Sequence, residues 1–314
     1  MTEEAKRDHG GNLFAAMSTY GGPRNAWLDL STGINPAPYP LPAFADKDWA
    51  ALPDADAHSA LISAARAFWS VPQDAAVLAA PGASSLIAKI PTLAPMGQVD
   101  IPQPTYNEHA AAFAYHGWTQ TSDTAQARVL VHPNNPDGRL WQAQDLDLPL
   151  MVIDESFCDV TPEASLIAAA ARPGVIVLKS FGKFWGLAGL RLGFAIGDPA
   201  LIDALSAQLG PWPVSGPALR VGTAALQDHS WAAQARKQLS QEAARLDQLA
   251  LSRGAQLVGG TDLFRLYEVD DAAKWQDKLA RHHVWSRIFP YSKTYLRLGL
   301  PPRDRWDQLE EAFS

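Results

Sequence analysis

Short apolar runs alternate with helical stretches through the first two-thirds of the chain, and this alternation restricts the fold more than any other feature. The runs are AVLAA (76–80), QVDI (98–101), ARVLVH (127–132), LMVID from 150 and VIVLKS (175–180). They are brief and rich in branched residues, as strands buried on both faces are. Helical segments lie around 84–93 and 106–116, and Leu61, Ile62, Ala65 and Phe68 fall on one side of a helix over His58 to Phe68. Short strands alternating with helices predict an α/β protein with a mostly parallel, doubly wound sheet.

Punctuation sets the expected segments. Residues 1–42, with GGPRN and LSTGINPAPYP, read as an ordered arm with one short strand over Trp27 to Leu30. A large domain is expected over 43–215, closed by GPWPVSGP (210–217). A smaller α+β domain is expected over 216–314, with a long helix from Trp231 to Arg253. Its candidate strands are FRLYEV (264–269), VWSRIF (284–289) and TYLRL (294–298), and its helices lie near 271–282 and 303–313.

Composition excludes several classes. A net charge of −7 with no run of Lys and Arg argues against nucleic acid as a partner. Cys158 is the single cysteine, so no intrachain disulfide forms and no cysteine pair suggests zinc. The N-terminus lacks a signal peptide's basic and apolar halves. No apolar segment reaches the ~18 residues of a membrane helix, so a cytoplasmic protein is expected.

In doubly wound sheets, ligands sit beyond the carboxyl ends of the strands, and several such ends carry chemistry here. Gly82, Ala83, Ser84 and Ser85 lie between a strand and a helix, where free N–H groups and hydroxyls suit a phosphate, although any such turn can carry Gly and Ser. Tyr106 follows the next strand, as a stacking ring or a core residue. Asn134 and Asn135 stand in a Pro-bounded turn. Asp154 ends an apolar strand, where an unpaired charge would be costly. A nucleotide-hydrolase reading of that Asp-Glu pair requires GxxxxGK[ST], and Gly182-Lys183 is followed by Phe184. Lys183 and Arg191 flank an acid-free segment after the last strand. One ligand satisfies all of these ends: a flat, phosphorylated, pyridine-bearing aldehyde. Lys183 would form its Schiff base, Asp154 would hold the ring nitrogen protonated, Asn135 would bond the phenolic oxygen and Tyr106 would stack on the ring. Gly82 to Ser84, Ser180 and Arg191 would take the phosphate.

NNPDG, VIDES and SFGKFWGLAGLRLGF resemble the matching motifs of fold-type I pyridoxal 5'-phosphate enzymes, in the branch containing the histidinol-phosphate aminotransferases. HGG at His9 to Gly11, LDLSTGINPAPYP and YLRLGLP narrow the resemblance to the cobalamin-pathway threonine-phosphate decarboxylases. The resemblance implies the aspartate-aminotransferase-like fold and catalytic roles for Lys183, Asp154 and Tyr106. It implies that Ala83, Ser84, Ser180 and Arg191 hold the cofactor phosphate and that Asn135 meets the ring oxygen. Arg297 would grip the substrate α-carboxylate and Arg287 the substrate phosphate, with Gly33, Asn35 and His9 lining the substrate pocket. No metal is implied, and a homodimer is.

The chain departs from the pattern at Phe157 and Leu52, where many relatives have tyrosines, and it is somewhat short for the family. The expected reaction is decarboxylation of a phosphorylated amino acid, L-threonine O-3-phosphate. The alternative is a histidinol-phosphate-type transamination, because both reactions need the same lysine, arginine and electron sink.

Overall fold

Every apolar run expected to be a strand in the first two-thirds of the chain forms one in the computed structural model, which describes residues 9–314. After β1 (Leu28–Asp29) come β2 (Ala76–Ala80), β3 (Gln98–Asp100), β4 (Thr119–Gln120), β5 (Ala127–Val131), β6 (Leu150–Asp154), β7 (Val175–Ser180) and β8 (Gly193–Gly197). The strands β4 and β8 are additions to the expected set. Together β2 to β8 make one seven-stranded sheet in the order β2-β8-β7-β6-β5-β3-β4. All pairings are parallel except those of β8, which runs antiparallel to both β2 and β7.

The register places several strand ends side by side. Ala80 pairs with Gly193 and Gly193 with Ser180, while Asp154 lies between Leu178 and Val131. The loops after β2, β5, β6 and β7 therefore leave the same edge of the sheet. Side chains alternate across a strand. Leu150, Val152, Ile176 and Leu178 share one apolar cluster with residues of the helices Ala83–Ile87, Asn107–Tyr115 and Pro199–Leu209. The intervening residues Met151, Ile153, Val175 and Val177 are buried too, as strands covered on both faces require.

The described chain divides into two units, and the division differs from the expected segments. The larger unit contains Pro38–Asn135 and Arg139–Ala235; the smaller contains the chain up to Ala37, Pro136–Gly138 and Arg236–Ser314. The boundary therefore falls inside the long helix His229–Leu251 and not at 215. The reason lies in the helix Gly216–Gln227, capped by Ser215, whose Oγ accepts from Ala218 N. That helix packs so closely on Ala55–Phe68 that a Cβ on Gly222 would meet Leu61 Cδ1 at 2.8 Å. It stays with the larger unit.

In the smaller unit, β9 (Gln256–Thr261), β10 (Phe264–Glu268), β11 (Val284–Trp285), β12 (Arg287–Phe289) and β13 (Ser292–Gly299) follow. An antiparallel sheet has the order β12-β13-β10-β9, and β1 pairs in parallel with β11. The turn Pro136–Gly138 belongs here because Gly138 approaches β9 so closely that a Cβ would meet Gly260 O at 2.0 Å. The N-terminal arm also carries a helix, Leu13–Tyr20, started by Asn12, whose Oδ1 accepts from Ala15 N. Leu13 and Ala16, three apart on one helical face, bury against Trp27 and Ala280.

Candidate active site

The aspartate that ends β6 is the most constrained polar group of the site. Asp154 is 2% exposed, and its Oδ2 accepts from His109 Nε2 at 2.8 Å. Its Oδ1 accepts from Ser156 N at 3.0 Å and from Ser156 Oγ at 2.5 Å. Burial, the largest single influence, pushes this carboxyl up. The hydrogen bond and charge of His109, with the two bonds from Ser156, outweigh it and hold the carboxyl below its ordinary range. The result is a buried carboxylate that stays ionised, which is what holding a proton on a pyridine nitrogen requires.

His109 was not among the candidates from the sequence. It lies on the helix Asn107–Tyr115, three residues after Tyr106, and is 1% exposed. Its signal was there, since three residues along a helix return to the same face, but the partner lies 45 residues away on another element. Tyr106 caps that helix and meets the His109 ring edge-on at 6.1 Å between centroids.

The loop after β7 holds Lys183 at its half-buried apex between Phe181 and the Phe184-Trp185 pair, all three fully buried. Lys183 Nζ lies 4.9 Å from the centroid of Phe157, which offers the ammonium a ring face. Ser180 Oγ, at the end of β7, accepts from Gly182 N. Arg191 adopts a left-handed conformation (φ 54°), and its guanidinium rests against Gly82. A Cβ on Gly82, itself at φ 81°, would lie 2.5 Å from the Arg191 side-chain nitrogen. Gly82 opens the helix Ala83–Ile87, whose first N–H groups lack intrahelical partners. A guanidinium, helix-start N–H groups and the hydroxyls of Ser84 and Ser180 thus belong to one strand-end edge. This donor set suits a phosphate. Asn135 leaves the same edge after β5, half-buried. Its neighbour Asn134 ties two loops together, its Nδ2 donating to Pro104 O and its Oδ1 accepting from Thr105 Oγ1.

The remaining candidates form a second group inside the smaller unit. Arg287 on β12 and Arg297 on β13 are direct cross-strand partners. Arg297 is 4% exposed, lies over the Phe264 ring and donates to Ser31 O. Burial, then the charge of Arg287, push its guanidinium down to about 9. Gly33 takes φ 63° where the arm passes β13; a Cβ on Gly299 would lie 3.4 Å from Gly33 N. Asn35 is buried, and its Oδ1 accepts from Ala37 N. His9 is exposed, but it leads into Gly10 and Gly11, which lie against Ser31: Gly11 N donates to Ser31 Oγ, and a Cβ on Gly10 would meet Ser31 O at 2.3 Å. Leu52 is largely exposed.

Beneath the larger unit's edge, His132, Glu155 and Cys158 bring one ligand-type atom each within 4.8 Å of one another. Protein partners already engage them. His132 Nδ1 accepts from Trp141 N and Nε2 donates to Ala164 O, while Glu155 bonds Lys179, Ser165 and Leu166. Burial pushes the Cys158 thiol up, away from the thiolate that a metal needs.

A buried aspartate held ionised, a lysine on the loop after β7 and a guanidinium beside a helix start, on one sheet edge, fit pyridoxal 5'-phosphate. The family model described as aminotransferase class I and II matches residues 120–312. The chain is 37% identical to the threonine-phosphate decarboxylase of Pseudomonas aeruginosa, over 98% of this chain and 97% of that protein. It is 39% identical to the threonine-phosphate decarboxylase of a Sinorhizobium species, over 94% and 93%. The crystal structure of a Sinorhizobium meliloti histidinol-phosphate aminotransferase in complex with pyridoxal-5'-phosphate superposes with a TM-score of 0.80 at 20% identity, covering 98% of this chain and 94% of that one. This chain belongs to the aminotransferase class I and II family, enzymes whose cofactor is pyridoxal 5'-phosphate. Among the described residues no helix is long and apolar enough to cross a membrane.

Proposed function

We propose that this enzyme decarboxylates L-threonine O-3-phosphate to (R)-1-aminopropan-2-yl phosphate, the aminopropanol unit of cobalamin. The observation that carries the reading is the in-register pair Arg287 and Arg297. Like charges directly opposite in a sheet are destabilising, and one of these is buried, so the pair is suited to a substrate bearing two anionic groups. The near full-length similarity to two threonine-phosphate decarboxylases supports the same substrate.

When bound, pyridoxal phosphate draws electrons away from a bond at the substrate's Cα. Asp154, kept ionised by His109 and Ser156, holds the proton on the ring nitrogen. Arg191, Ser84, Ser180 and the N–H groups after Gly82 would hold the cofactor phosphate, Asn135 would meet the ring oxygen and Tyr106 would cover the ring. Arg297 grips the carboxylate in the two-pronged manner of a guanidinium, and Arg287 binds the substrate phosphate. His9, Gly33 and Asn35 line the substrate site. Lys183 would hold the cofactor, and its amine would be the group that returns a proton to Cα. The protein acts in the cytoplasm as a homodimer.

The second reading is a histidinol-phosphate-type aminotransferase, favoured by the family match itself. Incubation with L-threonine O-3-phosphate, and separately with histidinol phosphate and 2-oxoglutarate, distinguishes the two. Carbon dioxide from the first mixture alone supports decarboxylation; amino transfer in the second without carbon dioxide in the first reverses the assignment.

A further inference from the structure

Directly behind the proposed cofactor residues lies a charged cluster that the chemistry does not use. Lys179 is 2% exposed, and its Nζ lies 2.6 Å from Glu155 Oε2 and 3.4 Å from Asp159 Oδ1. Glu155 also accepts from Ser165 Oγ and Leu166 N. Asp159 accepts two indole N–H groups, from Trp69 Nε1 on Oδ1 at 2.9 Å and from Trp185 Nε1 on Oδ2 at 3.0 Å. Burial lowers the Lys179 ammonium's affinity for its proton, but Glu155 and Asp159 more than restore it, so the cluster is ionic.

A buried ionic cluster is weak evidence for stability, because desolvation offsets much of the attraction. Its placement says more. Glu155 adjoins Asp154, Lys179 adjoins Ser180, and Trp185 follows Lys183 by two residues. Alternation along β6 and β7 puts Asp154 and Ser180 on one face and sends Lys179 to the other. Three positions proposed to touch the cofactor, Asp154, Ser180 and Lys183, thus lie within two residues of the cluster or of its indole donor. The link to Lys183 is the most direct. The Trp185 ring of its loop is stacked on Phe181 at 5.2 Å and on Trp231 at 5.3 Å between centroids. Stacking fixes the plane of the Trp185 ring but not its rotation within that plane; the bond to Asp159 fixes the rotation.

We infer that Asp159, held by Lys179, is a positioning residue for Lys183, acting through the Trp185 indole to set the direction in which the lysine leaves its loop. The inference rests on Lys183 being the cofactor lysine. Asp159 itself touches neither cofactor nor substrate.

The cluster supplies its own control, because Trp69 and Trp185 donate equivalent bonds to one carboxylate and only Trp185 belongs to the lysine loop. In the holoenzyme, Trp185→Phe removes one N–H and keeps an aromatic ring, and Trp69→Phe does the same on the other side. A charge-assisted bond lost at Trp185 is expected to release cofactor about tenfold faster, to change the visible circular dichroism of the bound cofactor and to lower kcat with KM unchanged. Trp69→Phe is expected to lose comparable thermal stability while keeping the wild-type dichroism and release rate. Wild-type dichroism and release in Trp185→Phe, or equal changes in both variants, overturn the inference. If Trp185→Phe does not fold, Asp159→Asn takes its place, and unchanged dichroism in it has the same consequence. Lys183→Ala is measured alongside: cofactor still fixed to that variant by borohydride refutes the lysine assignment, a result separate from any outcome at Trp185.

Discussion

His109 and Asp154 meet at 2.8 Å in a fully buried pair, a helix residue reaching a strand end through the core of the larger unit. The pair keeps a carboxylate ionised where burial alone would neutralise it. Asp154→Asn is expected to lower kcat by about 100- to 1,000-fold, the scale of removing one preorganised electrostatic group. His109→Phe is expected to lower it about tenfold, by the loss of one charge-assisted bond. Steady-state kinetics checks both. The pair also sets an acid limit. The folded-state pKa of Asp154 is depressed, so its contribution to stability is fully present above about pH 4 and disappears as the pH falls through the folded value. Thermal unfolding of the cofactor-free protein between pH 6 and the acid limb should show a shallower loss in Asp154→Asn.

Gly82 is expected to tolerate no side chain. At φ 81° a non-glycine residue is strained by about 1–3 kcal/mol, and its Cβ would displace Arg191. Gly82→Ala should therefore weaken cofactor affinity about 10- to 100-fold, read by fluorescence titration of the cofactor-free protein, with far-ultraviolet dichroism unchanged.

Arg287 and Arg297 repel one another across the strand pair, so an anion bound there should stabilise the fold. Inorganic phosphate or L-threonine O-3-phosphate at 100 times its dissociation constant adds about 2.7 kcal/mol, visible as a rise in Tm. Arg297→Gln should abolish the rise. Arg287→Ala should raise KM for the phosphorylated substrate about 10- to 100-fold and leave cofactor binding intact; an unaltered KM removes Arg287 from the phosphate site.

Lys179 is the one cation of its buried cluster. Lys179→Ala leaves Glu155 and Asp159 facing each other without it and should cost about 3–5 kcal/mol. Denaturant unfolding measures this, and a loss of no more than about 0.5 kcal/mol, the scale of a surface substitution, would show the cluster to be solvated.

The strands β5, β6 and β7 were legible because burial on both faces writes them as mostly apolar, branched runs. Glycines at both ends of β8 (Gly193 and Gly197) leave only three apolar residues between them, and β9 is largely exposed with Gly259 and Gly260 inside it, so neither writes such a run. Gly193 is small for a tertiary reason, since a Cβ there would meet Ala83 N at 2.4 Å. The cofactor was legible because several strand ends, at Gly82 to Ser84, Tyr106, Asn135, Asp154 and Lys183, suit one ligand together. His109 did not declare itself, because its partner is set by how a helix lies on the sheet. The break between the units inside His229–Leu251 was equally hidden: helical periodicity continues through it, and only packing of Gly222 on Leu61 assigns the preceding helix.

The most direct test follows the carboxyl carbon. L-Threonine O-3-phosphate carrying carbon-13 at its carboxyl group, incubated with the holoenzyme, is followed by carbon-13 and phosphorus-31 NMR. Decarboxylation predicts that the label appears as carbon dioxide and bicarbonate while the phosphorylated product keeps its amino group, and that Lys183→Ala yields neither. Label retained in a phosphorylated 2-oxo acid, formed only when an amino acceptor is added, would contradict it.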